Sequence, residues 1–358
     1  MAKRPYYGLI LAGGRGTRFW PRSRRATPKQ VLNVVGEKTL IEATVQRLSP
    51  LIPPENLWIL TNDAVRKEIL RQLPQIPKSQ ILAEPEQRNT APAIGLAAHI
   101  LHSIDPDAVF GVFPSDHVIG DAKTYLKSIK PAFKAAEKGK IAVIGIVPRW
   151  PETGYGYIEF GKSAEAGSLT VEPVKRFREK PNEKTAKKYV KSGRFYWNAG
   201  MFFWRADVLL ENLRKHLPKT ATLLAGLPAF KDKKFPAALK EIFPLCENIS
   251  IDYAVLEKAE NVVGVPCGEF GWNDVGSWDA VYEMLPRDAA HNAGLDLVVH
   301  DSSGNFVQAA GKSVALLGVK DLIIVDTPDA LLIADRKRAQ QVGEIVKQLE
   351  ASGKHHLL

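Results

Sequence analysis

Cysteine occurs only twice in the 358 residues, as Cys246 and Cys267. Two distant cysteines give neither a disulfide framework nor a zinc-ligand spacing, so reduced thiols and a cytoplasmic location are expected. No apolar run approaches the roughly 18 residues of a membrane span. The apolar stretch 7–12 is too short for a signal-peptide core, and glycines interrupt it at once. Repeats, low-complexity tracts and nucleic-acid-binding motifs are missing as well, so neither a membrane nor a nucleic acid is an expected partner. One further shortage is local. From Met1 to Gln30 there is no Asp or Glu, yet Lys3, Arg4, Arg15, Arg18, Arg22, Arg24, Arg25 and Lys29 all fall there. The whole chain carries 49 Lys and Arg against 39 Asp and Glu, a net charge of +10. Cations without counterions repel one another until an anion arrives, which points to phosphorylated metabolites.

What is present alternates. Segments 7–12, 57–61, 80–83, 108–113 and 141–147 read as buried strands, and 40–48, 64–73, 91–104 and 125–138 as helices. That order predicts an α/β protein built of βαβ units around a largely parallel sheet with helices on both faces. Ligands in such sheets sit beyond the carboxyl ends of the strands. The glycines after Ala12 and the run Pro114-Ser115-Asp116 both occupy that position. Between 148 and 203 the texture shifts to strand-and-turn pieces at 154–158, 174–177 and 201–204, expected as an insertion or an antiparallel edge. Helices are expected at 184–192, 208–216 and 236–243. Beyond about Asn292, five β-branched pieces at roughly ten-residue spacing predict a small all-β coil or meander, closed by a helix at 342–349. Residues 1–288 are expected to form the larger domain and 289–358 the smaller.

Gly13-Gly14-Arg15-Gly16 follows the first strand. Glycine lets backbone N–H groups approach an anion closely. The dinucleotide fingerprint is not met, because the second half of the motif reads Thr17-Arg18, and the P-loop pattern is not met either. The glycines alone suit a tight turn as well as a phosphate loop; Arg18 and Lys29 in an acid-free segment favour phosphate.

The string LAGGRGTRFWPRSRRATPKQ resembles the signature of the sugar-1-phosphate nucleotidyltransferases, with Gly13, Gly14, Gly16, Arg18, Pro21, Pro28 and Lys29 in its key positions. Trp20 before the proline and Gln30 after the lysine resemble the branch that acts on mannose 1-phosphate and GTP. Further segments fit in order: Glu84-Pro85 with Arg88 to Ala93, Phe113 to His117, Gly154 to Ile158, Phe177 to Pro181, Trp197 to Phe202, Ser250 to Tyr253, and Gly271 to Trp278. The resemblance implies a Rossmann-like, mixed and largely parallel sheet with a small β-helix-like C-terminal domain. It also implies a homodimer, Mg²⁺ as cofactor, and GTP and mannose 1-phosphate as substrates.

By the same resemblance, Leu11, Ala12, Gly13, Gly14, Gly16, Thr17 and Ser115 would face the nucleotide, and Arg18 and Lys29 the leaving pyrophosphate. Glu84 would read guanine, since a carboxylate accepts from its N1–H and N2–H₂ donors, with Asn89 and Thr90 on base or ribose. Lys180 would hold the phosphate of the sugar phosphate. Gly154, Tyr155, Gly156, Glu179, Asn198, Gly200 and Asp252 would surround the sugar. Asp116 and Asp274 would hold the metal. Read without the resemblance, Asp116 is a helix cap, Asp274 and Glu84 are turn residues, Lys180 is a solvated lysine, and Tyr155 is a packing residue. An isomerase activity, which bifunctional relatives carry on an added domain, is not expected. Rival readings are a pyrophosphorylase for UTP or dTTP with glucose 1-phosphate, a catalytically silent relative, and a basic nucleic-acid-binding protein.

Overall fold

The computed structural model describes residues 5–161 and 164–358. The first strand, β1 (Tyr6–Leu11), pairs in parallel with β2 (Leu57–Asn62) on one side and β4 (Val109–Pro114) on the other, and β3 (Ile81–Glu84) extends the sheet beyond β2. In β1, Leu9 and Ile10 are both fully buried but join different clusters, because successive strand side chains point to opposite faces. The far half of the sheet contains β5 (Ile141–Ile146), β6 (Tyr157–Glu159), β7 (Glu172–Pro173), β8 (Arg176–Arg178), β9 (Phe195–Arg205) and β10 (Val262–Cys267). The order is β3-β2-β1-β4-β9-β5-β10-β7, with β6 joined to β8 and β9.

The sheet is therefore mixed and largely parallel, as expected, with one correction. The segment 201–204 is not at an edge or in an insertion. It belongs to β9, which runs antiparallel between β4 and β5 at the middle of the sheet. The four successive side chains Met201-Phe202-Phe203-Trp204 are all buried, the pattern of a strand covered on both faces.

Helix boundaries follow their caps. The helix expected from residue 125 begins at Ala122, because Asp121 accepts the amides of Lys123 and Thr124 at 3.0 Å. The helix Leu40–Leu48 opens on a capping box between Thr39 and Glu42.

The C-terminal segment forms β11 (Leu297–His300), β12 (Phe306–Gln308), β13 (Val314–Leu317), β14 (Leu322–Asp326) and β15 (Leu331–Asp335). β11 pairs in parallel with β13 and β12 with β14, so the chain coils rather than meanders; only β14 and β15 form an antiparallel pair. Its apolar side chains Phe306, Ile323, Val325 and Val346 pack with Phe19, Trp20, Val34 and Leu40 from the start of the chain and with Trp278, Val281 and Tyr282. The coil thus shares one core with the glycine-loop region. The C-terminal tail is docked as well: Trp20 Nε1 donates to the carbonyl of Leu357 at 2.9 Å. No helix among the described residues is long and apolar enough to cross a membrane.

Candidate active site

The glycine loop is held from below. Ala12 is buried; its amide donates to the Leu60 carbonyl at 2.7 Å and its own carbonyl accepts from Gln30 Nε2 at 2.8 Å and Thr61 Oγ1 at 3.0 Å. Gln30 reaches the Gly14 carbonyl too, at 3.1 Å. Ala12 therefore lies behind the loop and shapes it from the protein side, while Ser115, 2 % exposed, donates its amide to the Leu11 carbonyl at 3.2 Å. Gly16 has φ +60°, and a Cβ there would stand 2.8 Å from both Cβ and N of Lys29. Only glycine lets the loop lie on Lys29 in this way. Thr17 faces Gly343 of the C-terminal helix.

Leu11, Gly13 and Gly14 line a cleft of about 440 Å³ together with Glu84, Asn89 and Thr90. Glu84 ends β3, and burial pushes its carboxyl up to about 7. Asn89 caps the helix Thr90–Ile104 by accepting the Thr90 amide at 2.9 Å, from a left-handed backbone at φ +65°. Thr90 Oγ1 accepts from the amide of Ile251 at 2.9 Å. Both residues are thus also structural, Asn89 as the cap and Thr90 by tying Ile251 to this cleft. Gln87, which the sequence did not single out, donates to the Gly13 carbonyl.

A second, larger cleft of about 870 Å³ contains Arg18, Arg149, Gly154, Tyr155 and Asp274. Lys29 lies beside it and is buried. Its ammonium meets Asp116 Oδ2 at 2.9 Å, the Asp274 carbonyl at 3.0 Å and the Val275 carbonyl at 2.9 Å. An ammonium has three donors, so in this form Lys29 is fully engaged in tying the Asp116 and Asp274 segments together, and Arg18 is the exposed cation of the expected pyrophosphate pair. The same two segments are joined by a bridge between Val118 and Asn273. Burial alone would raise the Asp116 carboxyl, but the charges of Lys29 and His117 outweigh it and hold it below the usual range. Burial lowers the His117 imidazole below its ordinary value, and its Nδ1 accepts from Trp272 Nε1 at 3.2 Å.

Asp274 Oδ1 accepts from the Tyr155 hydroxyl at 2.6 Å, and Tyr155 stands edge-on against Trp197 and Trp272. Burial, then the Asp274 charge, raise the Tyr155 hydroxyl far above its ordinary value, so it stays a proton donor. The packing role expected for Tyr155 therefore comes with an orienting hydrogen bond that no spacing rule announces. Among the described residues no group of three or more His, Cys, Asp and Glu is arranged to hold a metal. Asp116 and Asp274 offer two carboxylates and no nitrogen or sulfur, a donor set that fits a hard ion whose shell is completed by phosphate oxygens and water.

The next residues along the chain lead to a carboxylate pair. Gly154 N–H is taken by Glu152 at 2.8 Å. Gly156 accepts from the Asn198 amide at 2.8 Å, and a Cβ there would stand 2.4 Å from Glu179 Oε2. Asn198 Nδ2 donates to Asp252 Oδ1 at 3.1 Å, while its Oδ1 accepts from Gly200 at 3.0 Å. Glu179 Oε1 pairs with the exposed Lys180 at 3.1 Å, but its Oε2 is buried without a hydrogen-bond partner. Burial, and then the Glu179 charge, push Asp252 up to about 7. Glu179, Lys180, Asn198, Gly200 and Asp252 are therefore brought together as one polar cluster, linked to Asp274 through Tyr155 and Gly156.

Three arginines of the acid-free N-terminal segment find counterions in the C-terminal module. Arg15 pairs with Glu350, Arg25 with the same carboxylate at 3.3 Å, and Arg24 with Asp329 at 2.9 Å. Sequence reasoning, which found no chemistry in the C-terminal strands, missed these partners because they lie some 300 residues away.

Comparison with known proteins identifies the family. Residues 7–291 match the nucleotidyl transferase family and 296–349 match the MannoseP isomerase/GMP-like beta-helix domain. A mannose-1-phosphate guanylyltransferase of Escherichia coli K12 is 40 % identical over 99 % of this chain and 76 % of its own length. One from Salmonella montevideo is 40 % identical over 97 % of this chain and 74 % of its own. A crystal structure from Thermus thermophilus, described as a mannose-1-phosphate geranyltransferase, superposes with a TM-score of 0.86 at 35 % identity, covering 97 % of this chain and all of that one. Matched along nearly its whole length, this chain belongs to the nucleotidyl transferase family and is a nucleotidyltransferase.

Proposed function

We propose that the protein transfers GMP from GTP to α-D-mannose 1-phosphate, forming GDP-mannose and releasing pyrophosphate. The observation that carries this reading is the meeting of the glycine loop, the Lys29–Asp116 pair and Asp274 beyond the carboxyl ends of β1 and β4. The names of relatives 40 % identical over nearly the whole chain support the choice of substrates.

In the reaction a phosphate oxygen of the sugar phosphate bonds to the α-phosphorus, and the bond from that phosphorus to the bridging oxygen of the leaving pyrophosphate breaks. The nucleophile is already an anion, so no general base is needed, and the protein's work is positioning and electrostatics. Gly13 and Gly14 bring backbone amides to the triphosphate. Arg18 faces the charge that develops on the pyrophosphate, and Lys29 keeps the two acidic segments in register. Mg²⁺ held by Asp116 and Asp274 would supply the divalent counter-charge that two polyanions require. Lys180, exposed on a flexible stem, suits the phosphate of the incoming sugar as a mobile point charge. Glu179, Asn198 and Asp252 present acceptors and an amide to sugar hydroxyls, while Glu84 accepts from guanine and Asn89 and Thr90 flank the nucleotide. On this reading the enzyme works in the cytoplasm. It would act as a homodimer through the exposed apolar side chains Val298, Leu317, Leu331 and Ile333 of the coil.

The test is pyrophosphate release with Mg²⁺ and α-mannose 1-phosphate against GTP, UTP, dTTP, ATP and CTP in separate reactions. Release with GTP alone is expected. Turnover with another nucleotide would overturn the base assignment, and silence across the panel, repeated with glucose 1-phosphate, would overturn the transfer reading itself.

A further inference from the structure

Two positions of the C-terminal module meet the residues that lead into the Asp274 cleft. Gln340, in the turn Arg336–Gln341 after β15, accepts a hydrogen bond on Oε1 from Arg18 Nη1 at 2.5 Å. Gly343, at the start of the helix Val342–Ala351, lies so close to the loop that a Cβ would stand 3.3 Å from Thr17 Oγ1 and 4.0 Å from Arg18 Cγ. Gln340 and Arg18 both line the cleft that contains Tyr155 and Asp274. Among the described residues, the other N-terminal arginines hydrogen-bonded to this module, Arg15, Arg24 and Arg25, line a separate small pocket, and their partners in the module are the carboxylates of Glu350 and Asp329. The module therefore meets Arg15, Arg24 and Arg25, outside the cleft, with carboxylates and Arg18, inside it, with a neutral amide.

We propose that Gln340 is a positioning residue of the transfer site: its amide carbonyl holds the Arg18 guanidinium in the cleft shared with Asp274 without cancelling its charge, so that the C-terminal module completes the pocket for the leaving pyrophosphate. The proposal rests on the nucleotidyl-transfer reading above. A guanidinium has five N–H donors, and a single carbonyl acceptor fixes its direction while leaving the rest for phosphate oxygens. A carboxylate at the same place would hold Arg18 equally well but would compete with phosphate for its charge. The choice of amide over acid is thus the feature that separates positioning of a phosphate-binding cation from simple docking of two domains. It would also make the C-terminal coil part of the active site rather than a covering for it.

The experiment compares the full-length wild type with Gln340→Ala and Gln340→Glu. It measures pyrophosphorolysis of GDP-mannose with varied pyrophosphate, direct pyrophosphate binding by calorimetry, and thermal melting. In Gln340→Ala the KM for pyrophosphate should rise about tenfold, with the KM for GDP-mannose close to wild type. In Gln340→Glu, which keeps the hydrogen bond, the KM for pyrophosphate should rise further, and binding should weaken in the same order. Melting temperatures should stay within about 2 °C of wild type. Rescue by Gln340→Glu to wild-type values would show a purely structural contact and overturn the proposal, as would an unchanged KM in Gln340→Ala. If a variant folds poorly, calorimetry on its folded fraction still compares the affinities, and equal affinities overturn the proposal. A wild type that is inactive with every nucleotide sugar overturns the transfer reading and the proposal with it. An active wild type with silent substitutions overturns only the proposal.

Discussion

Burial pushes Glu84 up to about 7, so near neutral pH its carboxyl is divided between a protonated and an ionised form. Guanine's N1–H and N2–H₂ need the ionised form as acceptor. The KM for GTP should therefore fall as the pH rises from about 6 to about 8, and Glu84→Gln should raise that KM about tenfold and flatten the dependence; steady-state kinetics over this range checks both. Stability runs the other way. The folded carboxyl keeps its proton up to about 7 while the unfolded one loses it near 4.5, so stability falls as pH rises through that window. Glu84→Gln should accordingly gain in melting temperature on the wild type between about pH 5 and about pH 8; a constant gap would show that the group does not titrate there. Glu179 makes a different case. Its Oε2 is buried without a partner, which is costly unless a ligand donor arrives. Glu179→Gln should raise the KM for mannose 1-phosphate about tenfold while leaving that for GTP within about twofold, as initial rates with each substrate varied would read. The identities of both residues were legible in the chain, Glu179 through its place beside Lys180 and Glu84 at a strand end. Their perturbed environments were not, since burial and a missing partner are properties of packing.

The glycine loop illustrates how an element is specified by residues on both sides of it. The run Gly13-Gly14-Arg15-Gly16 announces a turn, but it does not announce that Gly16 rests on Lys29 or that Gln30 ties down the carbonyls of Ala12 and Gly14. Gly16→Ala puts a Cβ 2.8 Å from the Lys29 backbone at φ +60°. A left-handed non-glycine residue costs about 1–2 kcal/mol before any clash. Melting should drop accordingly, and turnover should fall about a hundredfold because the loop shifts off Lys29; circular dichroism with a turnover assay checks this. The strands and helices before residue 147 were readable to within a few residues, because each buries one stripe or run against the sheet. β9 was misread as peripheral because its sequence-adjacent pieces, β6 and β8, are short and partly polar. Its central place comes from Phe202 and Trp204 on one face and Phe203 on the other filling both cores.

The largest surprise is how the two ends of the chain depend on each other. Phe19, Trp20, Trp278 and Tyr282 share a core with the coil, and Arg15, Arg24 and Arg25 have their counterions there. A division at residue 288 follows the sequence texture but cuts through this core. A chain truncated after residue 288 should expose Trp20 and Trp278 and leave the basic segment unpaired. It is expected to aggregate or to melt well below the full-length protein, by light scattering and calorimetry. A soluble truncated form with unchanged melting would show the shared core to be dispensable. The net charge of +10 signalled an anion ligand for the acid-free segment; the structure divides the answer between intramolecular carboxylates and the cleft where Arg18 stands.

Local pattern alone settled the α/β alternation, the five C-terminal strands, and the placing of the glycine loop and Asp116 at strand ends, because each depends on neighbours a few residues apart. Tertiary structure decided what is joined across the chain: Lys29 to Asp116 and the Asp274 segment, Tyr155 to Asp274, Gln340 to Arg18, and Glu350 to Arg15. Those contacts span up to 335 residues. Hydrogen bonds and ion pairs act over a few ångströms, so their partners are chosen by how the sheet and coil pack, and no periodicity or spacing along the chain records that choice.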